Sequence, residues 1–298
     1  LETERRDIRP SDNLEQRFSD SFRTVLTGKA ENDRFNSFVL QTNIDWQEAA
    51  LLRAYCKYLL QTSLPFSQAY IQEVLSRHTL LTCALIDLFH ALFDTAVDDE
   101  LRHNMAQRTR QTITRELKQV STLDDDRILR AFLSVIEATL RTNFYQLSQG
   151  GKKSYVSFKL DPSKIAELPE PRPKFEIFVY SARFEGVHLR GGAIARGGLR
   201  WSDRREDYRT EVLGLMKAQQ VKNTVIIPMG AKGGFLPKRL GECTSRDEIQ
   251  QEGIACYKGF ISALLDLTDN RNKGNIGHPK DVVYYDSADP YLVVAADK

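Results

Sequence analysis

Apolar residues recur at helical spacing up to about residue 148 and in alternation beyond residue 154. No uniform architecture satisfies both periods, so the chain must combine a helical layer with a sheet. In the first stretch glycine is scarce. Asp45-Trp46 opens a run with Ala49, Leu52, Leu59 and Leu60 near helical spacing, and Glu48 follows Asp45 by three, which predicts a capping box. Phe66–Leu75 and Thr79–Phe93 continue the helical pattern. Asp124-Asp125-Asp126 precede the apolar run Ile128–Leu140 and place acids where a helix dipole favours them. Gly150-Gly151 then interrupts the pattern.

Beyond that point Val156–Leu160 and Phe175–Tyr180 alternate and read as half-buried strands. Leu168–Pro173 holds three prolines and must be an extended connector. Val187–Arg190 reads as a short strand, Glu206–Asn223 as a helix with Val212, Leu215, Met216 and Gln219 on one face, and Thr224–Ile227 as a buried strand. Ser245-Arg-Asp-Glu248 predicts a second capping box opening a helix to about Leu267, and Tyr291–Ala295 reads as a terminal strand. The expected fold class is therefore α/β (α+β), with a helical region over residues 1–150 and an α/β domain over residues 151–298.

Residues 191–239 concentrate glycine beside cations. Gly191-Gly192, Arg196-Gly197-Gly198-Leu199-Arg200 and Gly230-Ala231-Lys232-Gly233-Gly234 read as turns that can approach a ligand closely. Between the last two motifs, Gln219 and Lys222 are three apart on the predicted helix and share a face. Convergence of Arg196, Lys222 and Lys232 would suit a ligand with two carboxylates. Gly230–Gly234 is not a phosphate loop, because Lys232 is followed by Gly rather than Ser or Thr. Taken one at a time, such motifs are more often plain turns with a solvated cation.

The rest of the chain excludes more than it suggests. Lys and Arg total 42 against 40 Asp and Glu, for a formal charge of +2, so nothing global favours nucleic acid or an anionic membrane. No apolar run approaches the roughly 20 residues needed to cross a bilayer, and Leu1–Arg6 lacks a signal-peptide core. Cys56, Cys83, Cys243 and Cys256 lack metal-ligand spacing and read as reduced cytosolic thiols; no histidine sits in a metal motif, so no metal is expected. His188 on its strand reads as a satisfied core histidine, Met216 and Phe235 as packing residues, and Trp201 as either a core residue or a wall of the site. The charged ends, without an initiator Met, read as the cut ends of a longer polypeptide.

The run Gly186–Met216, with Lys217–Asn223, Pro228–Phe235 and Asp289–Lys298, closely resembles the large NAD-specific glutamate dehydrogenases. Asp124–Arg130 and Leu140–Asn143 resemble them too, so the likeness spans most of residues 45–298. It implies a mixed-sheet, three-layer substrate-binding domain behind the helical region. It also implies oxidative deamination of L-glutamate to 2-oxoglutarate and ammonia, in a cytoplasmic homo-oligomer with neither a nucleic-acid nor a membrane partner. The small hexameric members have a lysine before Gly-Gly-Leu/Ile-Arg that binds the side-chain carboxylate of glutamate. Arg196 inherits that role here, flanked by Gly197 and Gly198. Gln219 and Lys222 match the pair at the α-carboxylate, Lys232 matches the catalytic lysine, and Asp297 matches the catalytic aspartate. Arg196, Arg200 and Lys222 would lower the Lys232 pKa by their charge. The GxGxxG turn of a dinucleotide site is absent, so the NAD-binding domain is expected beyond residue 298 and this segment alone is expected to be inactive. Two other readings of the same residues are a non-catalytic anion-binding regulatory module and a helical interaction protein.

Overall fold

The computed structural model describes residues 13–149, 151–222 and 229–296, without the side chains of residues 220–222. The predicted strand Thr224–Ile227 and the residue Asp297 therefore lie outside the described residues. Helices α1 (Leu14–Leu26), α2 (Phe38–Gln41), α3 (Trp46–Leu60), α4 (Gln68–Arg77), α5 (Thr79–Phe93), α6 (Asp99–Leu117) and α7 (Leu123–Ala138) come first. The strands are β1 (Thr139–Thr142), β2 (Leu147–Ser148), β3 (Gly151–Lys152), β4 (Tyr155–Leu160), β5 (Phe175–Ser181), β6 (Phe184–Arg190), β7 (Arg196–Trp201), β8 (Gly230–Pro237), β9 (Asn270–Asn272) and β10 (Asn275–Gly277). Helix α8 (Tyr208–Lys222) joins β7 to β8, and α9 (Arg246–Leu265) follows β8.

Several ends are fixed by local chemistry. The Asp45 carboxylate accepts from the amides of Gln47 (2.7 Å) and Glu48 (2.9 Å), while Glu48 accepts from the Asp45 amide (2.6 Å), completing the expected box on α3. Thr122 caps α7 through the Asp125 amide at 3.3 Å. Ser245 caps α9, but Glu248 reaches back to the Thr244 amide at 2.6 Å, so the expected reciprocal bond to Ser245 is displaced by one residue. Helix α7 stops at Ala138, and the β-branched Thr139 turns the chain into a strand where the sequence pattern continued the helix to Leu140.

β1, β4, β5, β6, β8 and β7 form one mixed sheet in that order. Neighbours from β1 to β8 are antiparallel, and β7 runs parallel to β8. One sheet face meets α3, α7 and α8: Tyr55 stacks on Phe158 with ring centroids 4.5 Å apart, and Tyr58 meets Phe178 edge-on at 5.3 Å. Phe158, Phe178, Val187, Leu189 and Leu236 join the helices in one apolar core. The other face packs Ile177, Val179, Leu199 and Phe235 against Cys256, Phe260 and Leu264 of α9. β6 is therefore buried along its whole length, and β5 is nearly so rather than half-buried as its alternation suggested.

Helix α8 is pinned by a buried charge pair. Arg209 Nε and one terminal nitrogen donate to the two Glu176 oxygens, both at 2.7 Å, with the side chains 2% and 0% exposed. A bidentate pair fixes both the position and the rotation of the first turn of α8 over β5. Glu176→Ala would leave the guanidinium buried without its partner. It should cost about 3–5 kcal/mol in urea unfolding, whereas the combined Arg209→Met, Glu176→Leu variant should be near neutral.

Candidate functional site

Gly191-Gly192 lies in the bend between β6 and β7, as expected, but the other two glycine motifs are strands rather than turns. Arg196–Arg200 lies in β7 and Gly230–Gly234 in β8, and Gly197 faces Ala231 while Gly198 faces Lys232. None of these glycines takes a positive φ; the need for glycine is close approach. A Cβ at Gly197 would sit 1.4 Å from the Ala231 carbonyl oxygen. At Gly233 it would meet Leu199 Cδ2 at 2.2 Å, and at Gly234 it would meet Val212 Cγ2 of α8 at 2.5 Å. The motifs therefore bring two strands and a helix together without side chains in the way.

Alternation along the strands places the site. Lys232 pairs with Gly198 on β7 and Leu189 on β6, and Leu189 belongs to the core on the α8 side. Arg196, Gly198 and Arg200 share that face, so Arg196 and Arg200 flank the position opposite Lys232. Lys232 is only 3% exposed, whereas Arg196 is exposed at the start of its strand. Burial, together with the Arg200 charge, pushes the Lys232 amine below the usual lysine range. Arg200 is in turn held by Glu211 of α8 at 3.3 Å, and Glu211 accepts from Ser202 Oγ at 2.6 Å.

α8 is a crossover between parallel strands, so it runs opposite to β8. Val212 lies over Gly234. Gln219 is seven residues further along, about 10 Å. From Gly234 back to Lys232 is about 7 Å and to Gly230 about 13 Å. Half-buried Gln219 thus overlies the Gly230–Lys232 end of β8, next in line after buried Met216. Lys222 is the last residue of α8; its side chain is outside the described residues.

Arg196, Gly198 and Lys232 thus share one sheet face with Gln219 on the helix above it, while Gly197 alternates to the other face. Trp201 and Phe235 point to the opposite face, where their rings are 6.0 Å apart, and Trp201 fills the space over Gly253 of α9. Trp201 is a packing residue there and does not wall the Lys232 face. His188 also lies on that opposite face, with Nε2 2.9 Å from the Val293 carbonyl, and burial pushes its pKa down to about 4. It is a neutral core histidine donating one hydrogen bond, as its strand position suggested. Tyr291–Ala295 is extended but makes no regular strand; only Ala296 bridges β7, at Leu199.

A larger cavity of ≈ 430 Å³ lies elsewhere, lined by Lys29, Trp46, Phe144, Lys152, Tyr155 and Tyr180 among others. None of the motif residues lines it. No group of three His, Cys, Asp or Glu among the described residues could hold a metal ion, and all four cysteines are free. No helix among them is long and apolar enough to cross a membrane.

The electrostatics predict a specific response. Arg200→Gln should move the Lys232 amine up, toward the ordinary lysine value, in a 15N NMR titration of the lysine side chains. An unchanged midpoint would remove Arg200 as a source of the shift.

Comparison with known proteins agrees with the family resemblance. The family described as bacterial NAD-glutamate dehydrogenase, catalytic domain, matches residues 112–298, and the glutamate dehydrogenase helical motif 3 matches residues 30–95. An NAD-specific glutamate dehydrogenase of Pseudomonas aeruginosa is 56% identical over 96% of the chain and 18% of its own length. The protein of that name from Halomonas elongata is 52% identical over 94% of the chain and 17% of its own length. The one from Mycobacterium tuberculosis is 49% identical over 95% of the chain and 18% of its own length. The chain thus spans less than a fifth of the curated relatives it matches.

Proposed function

The chain belongs to the bacterial NAD-glutamate dehydrogenase family, and we propose that residues 151–298 supply its dicarboxylate-binding and proton-transfer groups. Helices α1–α7, within residues 14–138, precede them, and β1 at the end of that stretch joins their sheet. The observation that carries this reading is Lys232. A lysine 3% exposed, with its pKa lowered by burial and by Arg200, sits on the same sheet face as Arg196 and beneath Gln219.

L-Glutamate carries two carboxylates, and two fixed cationic positions orient it. Arg196 stands at the exposed mouth of β7 and takes the side-chain carboxylate. Its guanidinium offers a bidentate fork where a lysine would offer a point charge. Gln219 and Lys222, at the end of α8, take the α-carboxylate. That arrangement leaves the reacting carbon near Lys232. A lysine serves as a base only when part of it is neutral near the working pH, against an unperturbed value of about 10.4. Its shift is in the required direction. Lys232 Nζ then accepts the proton from the water that attacks the reacting carbon, and Asp297 relays protons beside it.

A nicotinamide dinucleotide does not fit the described residues. The connection from β7 to α8 is Ser202–Asp207, charged and without glycine, where a dinucleotide fold would need a glycine-rich turn. Bound NAD supplies hydride acceptance, and we place its main binding residues beyond residue 298 in a homo-oligomeric cytoplasmic enzyme. The products are 2-oxoglutarate and ammonia, and the segment alone is inactive.

The roles separate in kinetics of the full-length enzyme. Lys232→Ala should lower kcat by about 10²–10⁴-fold with a small change in the KM for glutamate. Arg196→Ala should instead raise that KM by roughly 10–100-fold, the loss of one charge-assisted contact. Near-normal turnover in Lys232→Ala would sink the catalytic assignment.

A further inference from the structure

The sheet face opposite Lys232 carries charge where a covered sheet usually carries apolar groups. Arg141 on β1, Lys159 on β4 and His188 on β6 lie in one register row that runs on through Gly233 on β8 to Leu199 on β7. Arg190 stands two residues from His188 on the same face. All four are buried, between 0% and 3% exposed.

The segment 286–296 covers them. Arg141 Nε donates to Asp286 Oδ1 at 2.6 Å, and Lys159 Nζ donates to Asp286 Oδ2 at 2.6 Å and Asp289 Oδ2 at 2.8 Å. Arg190 closes the clamp with an ion pair to the same Asp289 oxygen. Asp269, fully buried, holds Arg141 at 2.7 Å and accepts from the Asp289 amide at 2.5 Å. Further along, neutral His188 donates to the Val293 carbonyl, and Tyr291 OH donates to the Ala195 carbonyl at 2.6 Å. The segment ends at the outer edge of β7, where the Leu199 amide donates to the Ala295 carbonyl at 2.7 Å and Ala296 bridges Leu199.

From β4 to the position outside β7 is five strand spacings, about 24 Å, which the ten residue steps from Asp286 to Ala296 can span, since an extended chain of that length reaches about 33 Å. A one-residue slip would shift this strap by about 3.3 Å and turn every side chain to the other face. Apolar residues could cover the sheet at no greater cost, so the buried pairs contribute registration rather than net stability.

We propose that Asp289, clamped by Lys159 and Arg190, is a positioning residue that sets the register in which this strap meets β7 at Leu199, immediately ahead of Asp297 in the sequence. The proposal rests on the reading of Asp297 as a proton relay. It is tested in the full-length enzyme with Asp289→Asn and the charge-preserving Asp289→Glu. Hydrogen-exchange mass spectrometry would follow peptides over residues 196–201 and 230–237, alongside steady-state kinetics. In Asp289→Asn, exchange at Leu199 should accelerate while β8 stays protected. Its kcat should fall about 10²-fold, as for a displacement near 1 Å, with the KM for glutamate little changed. Asp289→Glu should recover part of both effects. A Leu199 amide that stays protected in both variants would overturn the clamp, as would a loss of protection without loss of kcat. Asp297→Asn with normal turnover would sink the relay reading itself, whatever Leu199 shows.

Discussion

The contact between β7 and β8 governs the geometry of everything near it. Gly197 lies where any Cβ would occupy the Ala231 carbonyl, and Gly234 leaves room for Val212. Only with both glycines can β7 reach the sheet and α8 descend onto β8. In that arrangement Lys232 is buried and Arg200 is close enough to act on it. The position of the cations is thus a consequence of backbone packing, and the side chains themselves are the last part of the design.

Rigidity around this seam comes from buried ion pairs on both faces. Arg209 with Glu176 fixes the start of α8 on one side, and Arg190 and Lys159 with Asp289 fix the strap on the other. Pairs of this kind recover little more than their desolvation, so an accounting of stability would give no reason to have two such sets. An account based on geometry does. Each pair fixes an element that ends at the seam: α8 ends with Gln219 and Lys222, and the strap ends at Ala296 beside Leu199.

The helices were legible because their signals are local. The Asp45–Glu48 box and the limits of α5 follow from residues within a few positions of each other. β7 was not legible, since Arg-Gly-Gly-Leu-Arg has neither alternation nor β-branched residues, and what makes it a strand is Ala231, over 30 positions away. The double burial of β5 and β6 depends likewise on α9, far along the chain. Arg196, Gln219 and Lys232 were found from motif order, and Arg200 from its charge. The clamp was invisible: Arg141, Lys159, Arg190 and Asp289 are scattered, and only the register of five strands lines them up.

The burial of Lys232 carries a cost that follows from linkage. Its depressed pKa means that the folded state disfavours the charged form. The penalty is therefore fully present while the amine is protonated in both states, and it vanishes as pH rises past the ordinary lysine value. What imposes it is burial together with the charge of Arg200, which Glu211 holds in place. The large helical core around Tyr55, Phe89 and Phe158 supplies the reserve against which such a site can be maintained. In that sense the helical half contributes to the chemistry without touching it.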